Sequence, residues 1–476
     1  MFKRIIYQCL VLACIGLSFS ACVPAIVQKT VDTTIPPRYN NTQDTTNIAK
    51  IRWKDFFSDP DLNALIDKAL KNNQELNVTL QEIEMAKNEI RVRKGEYLPF
   101  VGLRSGAGVE KVGRYTHQGA SDATTEFEPG KEMPDPLQDY FLGTFASWEV
   151  DIWQKLHNAK KSAIYRYLST AEGRNFMVTH LIAEIANSYY ELIALDNQLE
   201  ILTTNIEIQR NALEIVKLQK SAARITELAV RKFEAEVLKN QSRQYSILQR
   251  ITETENNINF LVGRFPQPVL RKSQGFTDRV PETIYAGIPA QLLQNRPDIK
   301  RAELELAAAK LDVQVAKANF YPSLRITAGI GSRAFDPKYF VQMPESMLYS
   351  VAGDIVAPLI NKNAIKADYY SANAKQIQAV YDYERTILKA YIEVANQLSN
   401  ISNLKNTYEL EARQVEALTE SINISTVLFK SARADYMEVL MTQRDALESK
   451  FELVETKKQQ MYAIVNIYQA LGGGWN

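Results

Sequence analysis

Three cysteines, three histidines and a scatter of carboxylates are the residues of this 476-residue chain that could do chemistry. Cys9 and Cys14 lie inside an N-terminal apolar run, and Cys22 stands just behind it. With every thiol confined to the first 22 residues, the rest of the chain can form neither a disulfide nor a thiolate metal site. His117, His157 and His180 have no second His or Cys at metal-ligand spacing, and "HLIAE" at His180 lacks the second His of a zinc-protease helix. Phosphate-loop, dinucleotide-loop and nucleophile-elbow glycine motifs are all absent. These residues predict no catalytic group, no metal and no cofactor, and the chain does not read as an enzyme. A net charge of +1 marks no nucleic-acid surface.

The one chemically distinctive position is Cys22. "MFKR" is a short basic start, and "IIYQCLVLACIGLSFSA" is an apolar stretch with a small-residue end. Together, residues 1–21 read as an export signal. Cys22 follows Phe19-Ser20-Ala21 and reads as a lipoprotein processing site, where the cysteine becomes an acylated first residue and lipid anchor. Lipoprotein signals prefer Leu where Phe19 stands. Cys14, after Val11-Leu12-Ala13, is a rival site, and simple cleavage without acylation is the other reading.

The chain beyond the signal is written twice. "NNQEL" at Asn72 matches "NRPDI" at Asn295, Leu98-Pro99 matches Tyr321-Pro322, and "GAG" at Gly106 matches "GIG" at Gly329, each at offset 223. Later phrases sit closer. "EIAN" at Glu184 and "EVAN" at Glu393 differ by 209, and "KSA" at Lys220 and Lys430 by 210. The first copy must therefore hold about 14 extra residues between Gly108 and Glu184, and 109–136 is the expected place, an exposed loop at one pole. The shared Glu-x-Ala-Asn is expected to pack alike in both copies.

The elements carrying these phrases are long helices and short strands. No proline occurs between Pro136 and Pro266 or after Pro358, and no glycine between Gly353 and Gly472. A helix over 364–430 would run about 100 Å at ~1.5 Å per residue, and one that long needs coiled-coil packing. Leu440, Leu447, Val454, Met461 and Tyr468 fall seven apart, and Val230, Val237, Gln244, Ile251 and Ile258 repeat the stripe 210 residues earlier. Around the hairpins the period drops to two. Tyr140, Leu142, Ala146, Trp148, Val150 and Ile152 alternate with Asp139, Ser147, Glu149 and Asp151, and Arg325 and Thr327 line the polar side of "LRITAGIG". Aromatics gather at the strand ends: Tyr97, Phe100, Trp148, Trp153, Phe320 and Tyr321. Strands of about ten residues with one apolar face and aromatic ends match a membrane β-barrel; a soluble sheet is the alternative. Four strands cannot close a barrel in lipid, so closure would take several chains, two giving eight strands or three giving twelve.

"WKDFFSDPDLNALIDKALKNNQEL" from Trp53, "QNRPDI" from Gln294, "APLINKNAIKADYYSA" from Ala357 and "ALGGGW" from Ala470 resemble the lipoprotein branch of the TolC-type outer-membrane factors, the exit channels of tripartite resistance-nodulation-division efflux systems. The similarity covers nearly the whole mature chain. It implies a mainly α fold with membrane β: a homotrimer whose long coiled-coil helices form a periplasmic α-barrel and whose four strands per chain build a 12-stranded barrel. The implied organisation is a signal peptide over 1–21, a lipid-anchored equatorial segment over 22–60, and repeat 1 over 61–264 with its hairpin at 98–152. An equatorial linker over 265–290 then leads to repeat 2 over 291–474 with its hairpin at 322–358. Cys22 would carry palmitate into the outer membrane; Val23 follows it, and no Asp is there to retain it at the inner membrane.

The mechanism implied is passive. A periplasmic adaptor (membrane fusion) protein and an inner-membrane pump would supply substrate and energy, and Arg104, Glu149, Asp151 and Arg325 would face the pore from the strands. The helical tips would meet the adaptor through Ser221, Ala222, Ala223, Arg224, Ser431 and Ala432. Two departures from the family stand here: the tip glycine is absent, and Met441 replaces the usual acid of the second tip. A periplasmic gate held by ion pairs among Arg433, Asp435 and Glu438 is the expectation, with a charged helix end of no function as the alternative. A type I protein-secretion duct, or a pore-free periplasmic coiled-coil adaptor or structural lipoprotein, are the rival functions.

Overall fold

The structure is a computed structural model that describes residues 23–39, 46–278, 285–431 and 433–475. The export segment 1–21, Cys22 and Ala432 lie outside the described residues. In chain order the elements are α1 (Trp53–Phe56), α2 (Pro60–Asn72), α3 (Gln74–Tyr97), β1 (Phe100–Glu110), α4 (His117–Asp122), β2 (Glu126–Glu128), β3 (Lys131–Glu132) and β4 (Leu137–Val150). The long α5 (Lys155–Ser221) and shorter α6 (Glu227–Leu261) follow, then α7 (Leu292–Asn295), α8 (Pro297–Ala318), β5 (Ser323–Ala334), β6 (Met347–Val356), α9 (Asn363–Lys430) and α10 (Tyr436–Ala470). The hairpin loop spans 111–136 in the first copy and 335–346 in the second, a difference of 14 residues. The first copy spends them on α4 and the β2–β3 ribbon.

Two helices precede each hairpin. Asn73 leaves helical geometry at ψ 124°. Its side chain then accepts from the N–H of Leu76, capping α3, and donates to the carbonyl of Leu261. In the second copy the break falls at Arg296, which precedes Pro297 and is held extended at ψ 118°.

The chain clusters into two compact units. The first comprises the described residues of Met1–Thr30, Glu84–Leu168 and Leu304–Tyr381. Its centre is one antiparallel sheet of order β1-β4-β5-β6, so the two copies join through β4 and β5. Beside the sheet, Val313, Ala316, Phe320 and Tyr369 form a buried cluster, against which Val23, Ile26, Ile365 and Ala372 pack. Ser162 donates to Asp312 at 2.7 Å, and Arg166 pairs with the same carboxylate, tying α5 to α8.

The second unit comprises the described residues of Val31–Ile83, Ser169–Glu303 and Asp382–Asn476. The seven-residue stripes are its core. Leu447, Val454, Met461 and Tyr468 are buried on α10, as are Val230, Val237, Ile251 and Ile258 on α6. Each such side chain contributes roughly 1.5–3 kcal/mol when fully buried. Gln244, the polar member, reaches Thr203 instead, at 3.3 Å. A charged hub ties the helices together: Glu191 of α5 accepts from Arg250 of α6 and from Lys458 and Tyr462 of α10, at 2.6–2.8 Å. Burial alone would raise the Glu191 pKa, but Lys458, Tyr462 and Arg250 more than offset it and hold the carboxyl below its ordinary value.

The two copies close their short helices in the same way. After α6, Gly263 adopts φ +73°, and after α10, Gly472 adopts φ +86°. In each case the following residue's N–H bonds back five residues, from Arg264 to Asn259 and from Gly473 to Tyr468. Each turn then lies on the break ahead of the same copy's second helix, and a Cβ would stand 2.5 Å from the carbonyl oxygen of Asn72 or 2.6 Å from that of Asn295. Gly263 is thus equivalent to Gly472, at the offset of 209 that also separates "EIAN" from "EVAN".

Glu-x-Ala-Asn, expected to pack alike, does not. Glu393 pairs with buried Arg296 at 2.7 Å, whereas the ion-pair partner of Glu184 among the described residues is His180, at 4.0 Å. The cause lies in the helix breaks: Arg296 stands where the first copy has Asn73, which carries no charge.

Candidate functional sites: the polar sheet face and the helical tips

Register fixes which strand residues share a face, because directly paired residues point the same way. Glu149 pairs with Arg325, which pairs with Asp354, so these three form one cross-strand row. Three rows further along β4, Arg104 pairs with Gly143, Gly143 with Gly331, and Gly331 with Leu348, on that same face. Three of the four residues expected to face a pore therefore lie together. The opposite face carries Val101, Leu103, Leu142, Ala146, Trp148, Ile326, Ile330, Tyr349, Val351 and Ile355. Several of these apolar side chains are bare, Val351 at 80% and Tyr349 at 76% exposure.

Asp151 requires a correction. It follows the last residue of β4 and is not a strand residue. Its side chain is 3% exposed, accepts from the N–H groups of Leu156 and His157, and contacts His157 Nδ1 at 2.6 Å. It caps the start of α5, where the helix dipole favours a carboxylate. Alternation of residue types continues past Val150 in the sequence, but the strand does not.

Sequence reasoning missed the other side chains of the polar face. Phe141 and Phe145 point there, and each ring covers a glycine: a Cβ on Gly102 would meet the Phe145 ring at 2.9 Å, and one on Gly143 the Phe141 ring at 2.9 Å. A glycine directly across from a phenylalanine (Gly102 and Phe145), or two residues along the same strand from one (Gly143 and Phe141), is the signal for this arrangement. Arg333 and Asp139 form a two-bond ion pair at 2.8 Å on the same face. The aromatics expected at the strand ends do gather at one end. Trp148 Nε1 donates to the Tyr97 carbonyl, Trp153 stacks on Tyr321 with centroids 4.6 Å apart, and Phe320 meets Tyr369 edge-on.

The first tip joins α5 to α6 through exposed Ser221, Ala222, Ala223 and Arg224. Ala223 takes φ +56°, and the N–H of Arg224 bonds to the carbonyl of Gln219, the same closure that Gly263 and Gly472 make elsewhere. An L-residue with a Cβ pays about 1–2 kcal/mol there. Ala223→Gly should therefore stabilise the turn, slowing amide hydrogen exchange at 222–226 by about fivefold for ~1 kcal/mol. Unchanged or faster exchange would show that the turn is not strained. Lys220, Glu227, Arg231 and Glu234 form a chain of ion pairs beside it. Lys220 and Arg231 hold the Glu227 carboxyl below its ordinary pKa. The helical spacing of Glu227, Arg231 and Glu234 was the available signal.

The second tip differs from expectation. Asp435 is the N-cap of α10, its carboxylate accepting from the N–H of Tyr436 at 2.6 Å. Among the described residues, no ion pair joins Arg433, Asp435 and Glu438. The helix start claims the Asp435 carboxylate, and Glu438 sits in the first turn, where the helix dipole already favours it. Ser431 is exposed at the start of the turn, directly after α9. What holds the tips together is apolar: Leu213 and Val216 of α5 pack with Ala229, Val230, Phe233 and Val237 of α6, and Tyr436 and Leu440 of α10 close over them. Further along, Arg243 of α6 pairs with Glu448 of α10 at 2.9 Å and lies 4.0 Å over the Phe451 ring.

Comparison with known proteins gives this geometry its context. The chain is 28% identical to the pyoverdine export outer membrane protein OpmQ of Pseudomonas aeruginosa, over 89% of this chain and 87% of that one. It is 24% identical to the cation efflux system protein CusC of Escherichia coli, over 97% and 98% of the two chains. The open-state crystal structure of the Neisseria gonorrhoeae MtrE outer membrane channel shares the fold, with a TM-score of 0.82 at 20% identity, covering 95% of this chain and 98% of that one. The sequence profile of outer membrane efflux proteins matches residues 65–264 and 288–473, one stretch for each copy. With both copies matched, the chain belongs to the outer membrane efflux protein family.

Proposed function

We propose that the protein is the exit duct of a tripartite efflux pump, built from three copies and anchored by lipid at Cys22. The observation that carries this is the sheet. It has four strands of 10–14 residues, a bare apolar face opposite a polar one, and two edges, β1 and β6, with no neighbour among the described residues. Strands of that length span a bilayer when tilted. Each unpaired backbone group in lipid costs several kcal/mol, so β1 of one copy must pair with β6 of the next. Three copies give the twelve strands of the family resemblance. Arg104, Glu149 and Arg325 then face water inside the barrel. An inner-membrane resistance-nodulation-division pump and a periplasmic adaptor select and drive the cargo, the adaptor meeting the tips around Ser221–Arg224 and Ser431. The gate belongs to this reading through the clustering of Arg433, Asp435 and Glu438 in the second tip, with Arg433 and Glu438 exposed there and their pairs formed between copies.

The N-terminal segment supports acylation at Cys22 over Cys14. Val23 and Ile26, which follow Cys22 in the sequence, pack beside Phe320 and Tyr369 at the aromatic end of the sheet, the end that an aromatic belt sets at a membrane surface. The test is labelling with radioactive palmitate and membrane fractionation. Wild-type protein should carry label, sediment with outer membrane and migrate as a heat-sensitive trimer in detergent. Cys22→Ser should lose the label. A soluble or inner-membrane wild type would sink the duct reading, and label that survives in Cys22→Ser would sink the anchor.

A further inference from the structure

The polar sheet face carries its charges unevenly. At the aromatic end, Glu149, Arg325 and Asp354 share one row, with Lys155 Nζ 3.1 Å from Glu149. Toward the other end, Arg333 and Asp139 neutralise each other through two bonds of 2.8 Å. The two rows next to the acidic one hold Phe100, Ser147, Thr327 and Ala352, then Gly102, Phe145, Gly329 and Ser350, none of them charged. The next row is Arg104, Gly143, Gly331 and Leu348. Arg104 is therefore the only charged side chain of these three rows; the row beyond holds Gly106, Phe141 and Arg333, whose charge Asp139 neutralises. Arg104 is exposed, has no ion-pair partner among the described residues, and stands on a floor of glycine. Gly102 and Gly106 flank it on its own strand, and Gly143 and Gly331 lie across from it. The large side chains beside it on this face, Phe141 and Phe145, lie over Gly143 and Gly102 and carry no charge, so the guanidinium stays exposed.

The geometry points to Arg104 as the charge-selecting residue of the β-barrel, favouring anionic solutes. This deepens the duct reading and rests on it: with three copies, three unpaired guanidiniums ring one level of the lumen. Asp354 is the only acid that β6 places on this face, and within the chain it stands three rows from Arg104. A ring of one sign in a confined, low-dielectric wall enriches counter-charged solutes. The interaction is screened beyond about 10 Å at 0.1 M salt and about 3 Å at 1 M.

The experiment is the reversal potential of the purified full-length protein in a planar lipid bilayer under a potassium chloride gradient around 0.1 M. Arg104→Glu should shift the cation-to-anion permeability ratio toward cations by about threefold or more, and 1 M salt should erase most of the shift. Arg104→Gln should shift it part of the way, and Arg104→Lys should leave it near wild type. Arg104→Gln also serves if Arg104→Glu does not assemble. Channels of Arg104→Glu or Arg104→Gln with wild-type selectivity would overturn the assignment while leaving the duct intact. A wild type that forms no conducting channel would instead overturn the duct reading itself.

Discussion

Gly472→Ala should cost ~2–5 kcal/mol, enough to remove most folded protein from the membrane. Two costs combine. The residue sits at φ +86°, where a Cβ costs about 1–2 kcal/mol. That Cβ would also stand 2.6 Å from the Asn295 oxygen and 2.7 Å from its carbonyl carbon. Both are backbone atoms that cannot rotate away, and relieving the overlap costs a further ~1–3 kcal/mol. The Asn295 carbonyl is also the acceptor for Trp475 Nε1 at 3.1 Å, so a shift there loosens the chain's last turn. Gly263→Ala should behave alike, its Cβ meeting the Asn72 oxygen at 2.5 Å. Gly106→Ala is the control: it has open space around its Cβ and should change stability by less than about 0.5 kcal/mol. Protease half-life and denaturant midpoint of the solubilised protein would measure all three. If Gly472→Ala matched Gly106→Ala, the close approach would not constrain the fold.

The same turn explains why "ALGGGW" reads as a family signature. A Cβ on Gly473 would strike the Tyr468 ring at 2.4–2.7 Å, and Gly474 takes φ +104°. Three successive glycines answer three separate geometric demands. The repeat, the helices and the strands were legible because each is periodic. Helix stripes recur every seven residues, strand faces every two, and the change of offset between copies equals the difference in their hairpin loops. The faces of β1, β4 and β5 were legible for the same reason. Single-residue events were not. Nothing in the alternation from Tyr140 to Ile152 says that the strand stops at Val150, so Asp151 read as one more polar strand residue. At the second tip, clustered charges read as ion pairs, yet the start of α10 claims the Asp435 carboxylate for its backbone. The ion-pair chain formed instead at the first tip, where Glu227, Arg231 and Glu234 have helical spacing.

Arg296→Asn separates what the copies share from what they do not. Arg296 side-chain groups are 7% exposed and donate to Asp298 at 3.0 and 2.7 Å, to Glu393 at 2.7 Å and to the Ala470 carbonyl at 2.9 Å. The first copy makes only the last of these bonds, from Asn73 to the Leu261 carbonyl at 2.9 Å. An asparagine at 296 can therefore restore the helix-end contact and nothing else. It strands two part-buried carboxylates, a loss of about 3–5 kcal/mol when one partner of a buried ionic network is removed. Adding Glu393→Gln to Arg296→Asn should recover about 1 kcal/mol, because it withdraws a carboxylate that has lost Arg296 and keeps only exposed Lys389, at 3.7 Å. Glu184→Gln, the same change in the first copy, should be neutral within about 0.5 kcal/mol, since Glu184 is exposed and has no arginine to lose. Denaturant midpoints of the four variants would decide. A stable Arg296→Asn, or a Glu184→Gln as costly as Glu393→Gln in the wild-type background, would mean that the two Glu-x-Ala-Asn phrases are equivalent after all, and that the asymmetry between Asn73 and Arg296 carries no energy.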